Sequence, residues 1–201
     1  MLVDGGKMSK SLGNVYTLDD IEKRGYKPEH LRYFYLTGHY RQPLNFTWEG
    51  LEKAKQTLDK LWEKAQMFGE YTQTKAEDRD PSDKVLKRWN QFQEAINDDL
   101  NFPRALASLH EGLNEARDDF DTLFLLQKTD PILGLKFTEH GKLLHKEWFS
   151  NVGKFKADLT RREEFRKRGE FAKADEIRKE IEAKGFVIED TDSGTQIKKR
   201  E

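Results

Sequence analysis

Two lysines and two serines fall within five residues at Lys7-Met8-Ser9-Lys10-Ser11, between Asp4-Gly5-Gly6 and Leu12-Gly13-Asn14. Ammonium groups, short hydroxyls and glycine-freed backbone are what a loop needs to hold a polyphosphate. Taken alone, five such residues also fit a basic surface loop. The setting favours the phosphate reading: Leu2-Val3 reads as a strand end, Asp4-Gly5-Gly6 as a turn, and a capped helix follows the lysines.

That helix starts at Thr17, an N-cap with Asp19 and Asp20 in the first turn and Asp20 at the capping-box position. It should stop near Gly25. Pro28 opens a second helix to about Gly38, with Leu31, Phe34 and Tyr35 on one side. His39 to Trp48 is irregular and aromatic. Leu51, Ala54, Leu58, Leu61, Trp62, Ala65 and Phe68 then recur in steps of three and four, giving a long helix with one apolar stripe. Residues 73–83 are polar and contain Pro81, as an exposed linker would. Val85, Leu86, Trp89, Phe92 and Ile96 mark the next helix, and Pro103 starts another. Phe120 to Leu135 is apolar but broken by Pro131 and Gly134. These elements predict an antiparallel helical bundle. Near the end, charged helices over about 159–168 and 171–184 flank Gly169, and two short strands, 186–188 and 195–198, form a hairpin.

Composition supports a mainly α protein. Of 201 residues, 36% are charged and 35% hydrophobic, a lean core under a helix-favouring charged surface. The net charge of −1 supplies no global basic field, so any nucleic-acid contact needs local patches. There is no cysteine, hence no disulfide and no thiolate metal site. His30, His39, His110, His140 and His145 show no ligand spacing and read as packing or surface residues. No run approaches the roughly 18 apolar residues of a membrane span. A cytoplasmic protein is expected.

The stretch Lys7 to Asn14 resembles the KMSKS signature of class I aminoacyl-tRNA synthetases. His39-Tyr40-Arg41-Gln42-Pro43-Leu44-Asn45-Phe46-Thr47-Trp48-Glu49 is similar, more narrowly, to a segment of cysteinyl-tRNA synthetases. So are Ile96 to Ala105 and Ala174-Asp175-Glu176-Ile177-Arg178 with Gly185 and Glu189-Asp190-Thr191. The resemblance covers the whole chain and corresponds to the C-terminal half or less of such an enzyme. It implies the end of a Rossmann-type catalytic fold with the KMSKS loop (residues 1–48), a DALR-type helical bundle (49–150) and a small α+β anticodon-binding domain (151–201).

The resemblance implies chemistry as well. In this family ATP with Mg²⁺ activates cysteine and the acyl group passes to tRNA-Cys. Lys7 and Lys10 would meet the charge on the leaving pyrophosphate, with Met8, Ser9 and Ser11 completing the ATP contact. Arg166, Phe171, Asp175 and Asp190 fall where the family touches the anticodon; carboxylates, guanidinium groups and rings suit unstacked bases. Arg32 and Arg41 are candidates for phosphate contact. The family's His-x-Gly-His motif does not occur here, and its zinc-ligating cysteines have no counterpart. The chain is therefore expected not to form cysteinyl-adenylate alone and to work with an N-terminal catalytic half. Two other readings stay open: a tRNA-binding module or half of a split synthetase, and a synthetase-derived ligase joining cysteine to an amino-sugar conjugate. Two departures from the family pattern stand out. Phe102 replaces a threonine expected to cap the helix, and Ile197 replaces a tryptophan expected to offer a stacking surface.

Overall fold

A computed structural model describes residues 2–69, 80–191 and 194–200; at 67, 69, 147–152, 154, 189–191, 194–196 and 198–199 it describes the backbone only. The polar segment 73–83 therefore lies largely outside the described residues. The chain divides into two compact units, Met1–His145 and Lys146–Glu201.

The first unit begins with strands β1 (Leu2–Val3) and β2 (Gly6–Lys7), antiparallel with Val3 opposite Gly6. Asp4 and Gly5 between them both have positive φ, 49° and 77°. An Asp-Gly pair favours that turn, whose twist matches the strands it joins. Strand β3 (Asn45–Phe46) pairs parallel with β1, giving the order β2-β1-β3.

Helix α1 (Leu18–Lys23) has the expected reciprocal cap. Thr17 accepts from the Asp20 N–H, and the Asp20 carboxylate accepts the Thr17 N–H at 2.8 Å. Helix α2 (Pro28–Leu36) buries Glu29, His30, Tyr33, Phe34 and Leu36. Tyr35, expected on that face, is 44% exposed, and Tyr33 takes its place. Helix α3 (Trp48–Lys64) is capped by Thr47 and buries Leu51, Ala54, Leu58, Leu61 and Trp62, as its stripe requires.

Helices α4 (Asp83–Asn97) and α5 (Phe102–Glu115) pack together across the turn 98–101. Asn101, not residue 102, caps α5: its side chain accepts from the Arg104 N–H at 3.2 Å. Phe102 is the first helical residue, so the loss of a threonine there removes no cap. Pro131 does not break α6 (Asp119–Leu133). It sits in the last turn, where little helix remains to disrupt. The helix ends instead at Gly134 (φ 63°), whose N–H reaches the Asp130 carbonyl at 2.7 Å.

Helix α7 (Phe137–Lys167) is far longer than the 159–168 stretch expected from sequence. Leu144, Trp148, Val152, Phe155 and Leu159 recur there in steps of three and four, but Gly141 and Gly153 read as interruptions. Helix α8 (Phe171–Ala183) follows the turn at Gly169 (φ 75°). There the Glu170 N–H bonds the Phe165 carbonyl and the Gly169 N–H that of Arg166, the paired bonds of a Schellman ending. Strands β4 (Phe186–Thr191) and β5 (Gly194–Lys199) close the chain as an antiparallel hairpin.

One core in the first unit runs from Val3 through the helices to Phe137. The second unit has its own small core of Phe155, Ile177, Ile181, Phe186, Ile188 and Ile197. Among the described residues, no helix is long and apolar enough to cross a membrane.

One buried and two half-buried histidines should make the first unit sensitive to acid. His30 is buried, with Nδ1 3.0 Å from the Lys27 N–H and Nε2 3.1 Å from Asp59, and burial lowers its pKa. Burial also lowers His110 and His140. His110 pairs with the Tyr33 hydroxyl at 2.8 Å, and burial pushes that phenol up to about 12. His140 stacks on Trp62 with centroids 3.8 Å apart. A histidine whose folded pKa is depressed takes up its proton first in the unfolded chain. Stability should therefore fall as pH drops below the ordinary value of about 6.5. The thermal midpoint should be lower at pH 5.5 than at pH 7.5, a range in which the carboxylates stay ionised. Equal midpoints would show that these rings carry no such linkage.

Candidate nucleotide and nucleic-acid interface

Strand β2 delivers Lys7 to the start of the loop with its side chain exposed. Met8 turns inward and packs against the core, anchoring the segment. Ser9 is extended (φ −152°) and precedes a 3-10 turn, Lys10–Leu12, which ends at Gly13 in the left-handed region. That positive φ suits glycine and lets the Gly13 N–H bond the Lys10 carbonyl at 3.1 Å. Asn14 fastens the loop to itself. Its Oδ1 accepts the Ser9 N–H at 2.8 Å, and its Nδ2 donates to the Lys7 carbonyl at 3.1 Å. The Ser9 and Ser11 hydroxyls lie 2.7 Å apart. Lys10 and Ser11 are exposed. The five residues thus present two ammonium groups and a hydroxyl pair on a closed, glycine-ended turn, a set of donors suited to phosphate oxygens.

The aromatic segment 39–49 supports the base of this loop. β3 holds β1 in place, and Asn45 Oδ1 accepts the Gly5 N–H at 2.8 Å. The same segment is tied to the α4–α5 turn. Arg41 Nε and Nη2 grip Asp99 at 2.5 and 2.9 Å, and the Tyr40 hydroxyl donates to Asp99 at 2.5 Å. These bonds, Arg41 first, hold the Asp99 carboxyl down at about 2. Asp99 and Leu100 both have positive φ, 54° and 53°, a backbone that ordinary side chains resist and that the clamp holds. Two segments quoted for the family resemblance thus meet in one interlock. Arg41 has its protein partner in Asp99, and Arg32 Nε donates to the Leu133 carbonyl at 2.5 Å. Both arginines are exposed. Most of the remaining aromatics pack: Tyr16, Phe46 and Trp48 form one cluster, with the Arg24 guanidinium 3.9 Å from the Trp48 ring centre.

In the second unit, Arg166 is exposed in the last turn of α7. Phe171 is the first residue of α8 and 62% exposed; Asp175 is exposed one turn later, on the same side of the helix. A ring and a carboxylate on one helical face can stack a base and accept from its edge. Asp190 lies in β4 opposite Thr195, and its side chain is outside the described residues. Ile197 is 3% exposed and pairs with Ile188 in the core, so its position faces inward and offers no stacking surface. Among the described residues, no group of three or more histidines and carboxylates could hold a metal ion. With no cysteine in the chain, the residues present do not fit a zinc centre.

Sequence reading missed two supports of the site, Asn14 and Asp99. An Asn just after Gly13 was the available signal for the first; the second lay within the Ile96–Ala105 segment, which gave no sign of its partner Arg41.

Comparison with known proteins points one way. Residues 1–56 match the family model of the class I (C) tRNA synthetase catalytic domain, and residues 91–138 match the DALR domain. The chain is 34% identical over 212 residues to a cysteine–tRNA ligase of Chlamydia abortus, covering 99% of this chain and 43% of that protein. It is 35% identical over 217 residues to the one of Solibacter usitatus, covering 100% of this chain and 44% of that protein. A third, of Lysinibacillus sphaericus, is 34% identical over 212 residues. The chain spans less than half the length of these curated relatives.

Proposed function

We propose, for a chain that belongs to the cysteine–tRNA ligase family and matches the C-terminal portion of its members, a share in the ATP-dependent attachment of cysteine to tRNA-Cys. In that reaction a cysteine carboxylate oxygen bonds to the α-phosphorus of ATP and pyrophosphate leaves. A ribose hydroxyl of the tRNA end then takes the acyl group and AMP leaves. Lys7 and Lys10 act at the first step, where their ammonium groups meet the charge gathering on the departing pyrophosphate. Ser9, Ser11 and the neighbouring N–H groups hold the phosphates, and Mg²⁺ accompanies ATP as part of that substrate. Arg166, Phe171, Asp175 and Asp190 read the anticodon. The cytoplasm is the setting this chemistry calls for.

One observation carries the reading. The loop is built as a donor cluster, with Asn14 closing it and Met8 anchoring it while Lys7 and Lys10 stay exposed. A related second reading is a tRNA-binding module without catalysis of its own, favoured by the exposed Phe171 and Asp175 on one face of α8.

A chimera tests the first reading. Replacing the matching 44% of the Solibacter usitatus ligase with this chain should give an enzyme that charges tRNA-Cys with cysteine. Lys10→Ala in that chimera should lower kcat by roughly 10²–10³, the usual effect of removing one preorganised charge contact. A folded chimera unaffected by Lys10→Ala would remove the loop from catalysis.

A further inference from the structure

Asp99 makes contacts that its own turn does not need. The α4–α5 turn is already fastened locally. The Asp98, Leu100 and Asn101 N–H groups bond the Glu94, Ile96 and Ala95 carbonyls at 2.9, 3.1 and 3.0 Å, and Asn101 caps α5. The neighbouring carboxylate, Asp98, also stays local, 3.5 Å from Arg104. Asp99 instead reaches back 58 residues to Arg41 and 59 to Tyr40. It does so from a positive φ, followed by a second at Leu100. Strained residues of this kind persist where the surroundings over-determine them, and they gather at functional sites.

What Arg41 and Tyr40 hold in place is the segment that carries the lysine loop. The Leu44 and Phe46 carbonyls accept the Leu2 and Asp4 N–H groups at 2.8 and 3.0 Å, and Asn45 Oδ1 accepts that of Gly5 at 2.8 Å. These bonds end just before Lys7. Strands β1, β2 and β3 are two residues each, too short to fix their own position. Their place comes from what anchors them: Val3 and Phe46 in the core, and the clamp at Asp99.

We propose that Asp99 is a positioning residue for Lys7 and Lys10, acting through Arg41, Tyr40 and β3 to set where the lysine loop stands. The proposal rests on the ATP-loop reading and adds to it a residue of the helical bundle that touches no phosphate itself. Misplacing a reacting contact by about 1 Å can cost about 100-fold in rate, so a loop base fixed from outside the loop bears directly on turnover.

Stability and position separate in Asp99→Gly. Glycine accepts φ 54° without strain, which offsets the loss of an exposed ion pair. The melting midpoint should stay within about 3 °C of wild type. In the full chain, the Gly5 amide should exchange with solvent roughly tenfold faster while the amides of α3 keep their rates. In the Solibacter usitatus chimera, kcat should fall by roughly 10- to 100-fold, with KM for ATP changed by less than about twofold. Asp98→Ala, the control beside it, should leave kcat unchanged. Asp99→Asn, which keeps an acceptor oxygen and tolerates positive φ, should retain most of the rate. On top of Lys10→Ala, Asp99→Gly should cost less than about threefold more, because both changes act on the same contact. Wild-type exchange at Gly5, wild-type kcat in Asp99→Gly, or a full additional loss in the Lys10→Ala background would overturn this proposal and leave the ATP loop standing. A chimera that Lys10→Ala does not slow would overturn both.

Discussion

Gly141→Ala is expected to pull the first turns of α7 away from the end of α3. A Cβ at Gly141 would lie 2.1 Å from the Ala65 carbonyl oxygen and 2.6 Å from its carbonyl carbon. Both are backbone atoms of a fully buried residue and cannot rotate aside. Relief therefore requires moving one helix against the other. The contacts nearby depend on that approach: His140 stacks on Trp62 at 3.8 Å, and Trp62 Nε1 donates to the Leu135 carbonyl at 2.8 Å. Overpacking a site this rigid should cost about 3 kcal/mol. For a chain of this size that is a drop of roughly 6–12 °C in melting temperature. The same helix supplies the control. Gly153 has nothing within 4 Å of its would-be Cβ, so Gly153→Ala should gain about 1 kcal/mol from helix propensity alone. Circular-dichroism melts of the two variants should move in opposite directions. Equal behaviour would contradict the close approach.

Asp121→Ala should be comparably damaging, for a different reason. This carboxylate is fully buried and joins the starts of α4 and α6. It accepts the Ser82 N–H at 3.0 Å, the Ser82 hydroxyl at 2.8 Å, the Arg117 N–H at 3.1 Å and Arg117 Nε at 3.0 Å. Burial pushes its pKa up, but these bonds outweigh burial and hold it well below the usual carboxylate range. Truncation strands the buried Ser82 donors, and that should cost about 3 kcal/mol. Asp121→Asn, which keeps one acceptor oxygen, should lose less. The sign with pH is fixed by the depressed pKa. The contribution is fully present above about 3.9 and disappears only as pH falls further. Urea denaturation at pH 7 should therefore separate wild type and variant clearly, and the gap should narrow in strong acid. A variant as stable as wild type at pH 7 would show that the network adds nothing.

Local signals read well in this sequence, and long-range ones do not. The Thr17–Asp20 box was legible because both halves of a cap lie within four residues. The α3 stripe was legible because seventeen residues give the 3.6-residue period room to repeat. Tyr33 and Tyr35 could not be ranked, because α2 is nine residues long and apolar on most sides. Pro131 looked like a break because its effect depends on its distance from the helix end, which Gly134 sets. The extent of α7 was hidden by two glycines, one forced by the contact with Ala65 and the other by nothing nearby. In the site, the lysines announced themselves by type and spacing. Arg41 announced only a charge; its partner Asp99 lies 58 residues away, across a turn with two unusual backbone angles. Ile197 was misread because a strand side chain faces either the core or solvent, and sequence alone did not fix which.

Binding of the purified chain to tRNA-Cys without ATP, compared with the same transcript carrying an altered anticodon, decides whether this chain reads the anticodon. Association should depend on salt, weaken when the anticodon changes, and weaken to the same extent with the native transcript after Asp175→Ala. Absence of binding at low salt, or equal affinity for both transcripts, would contradict anticodon reading.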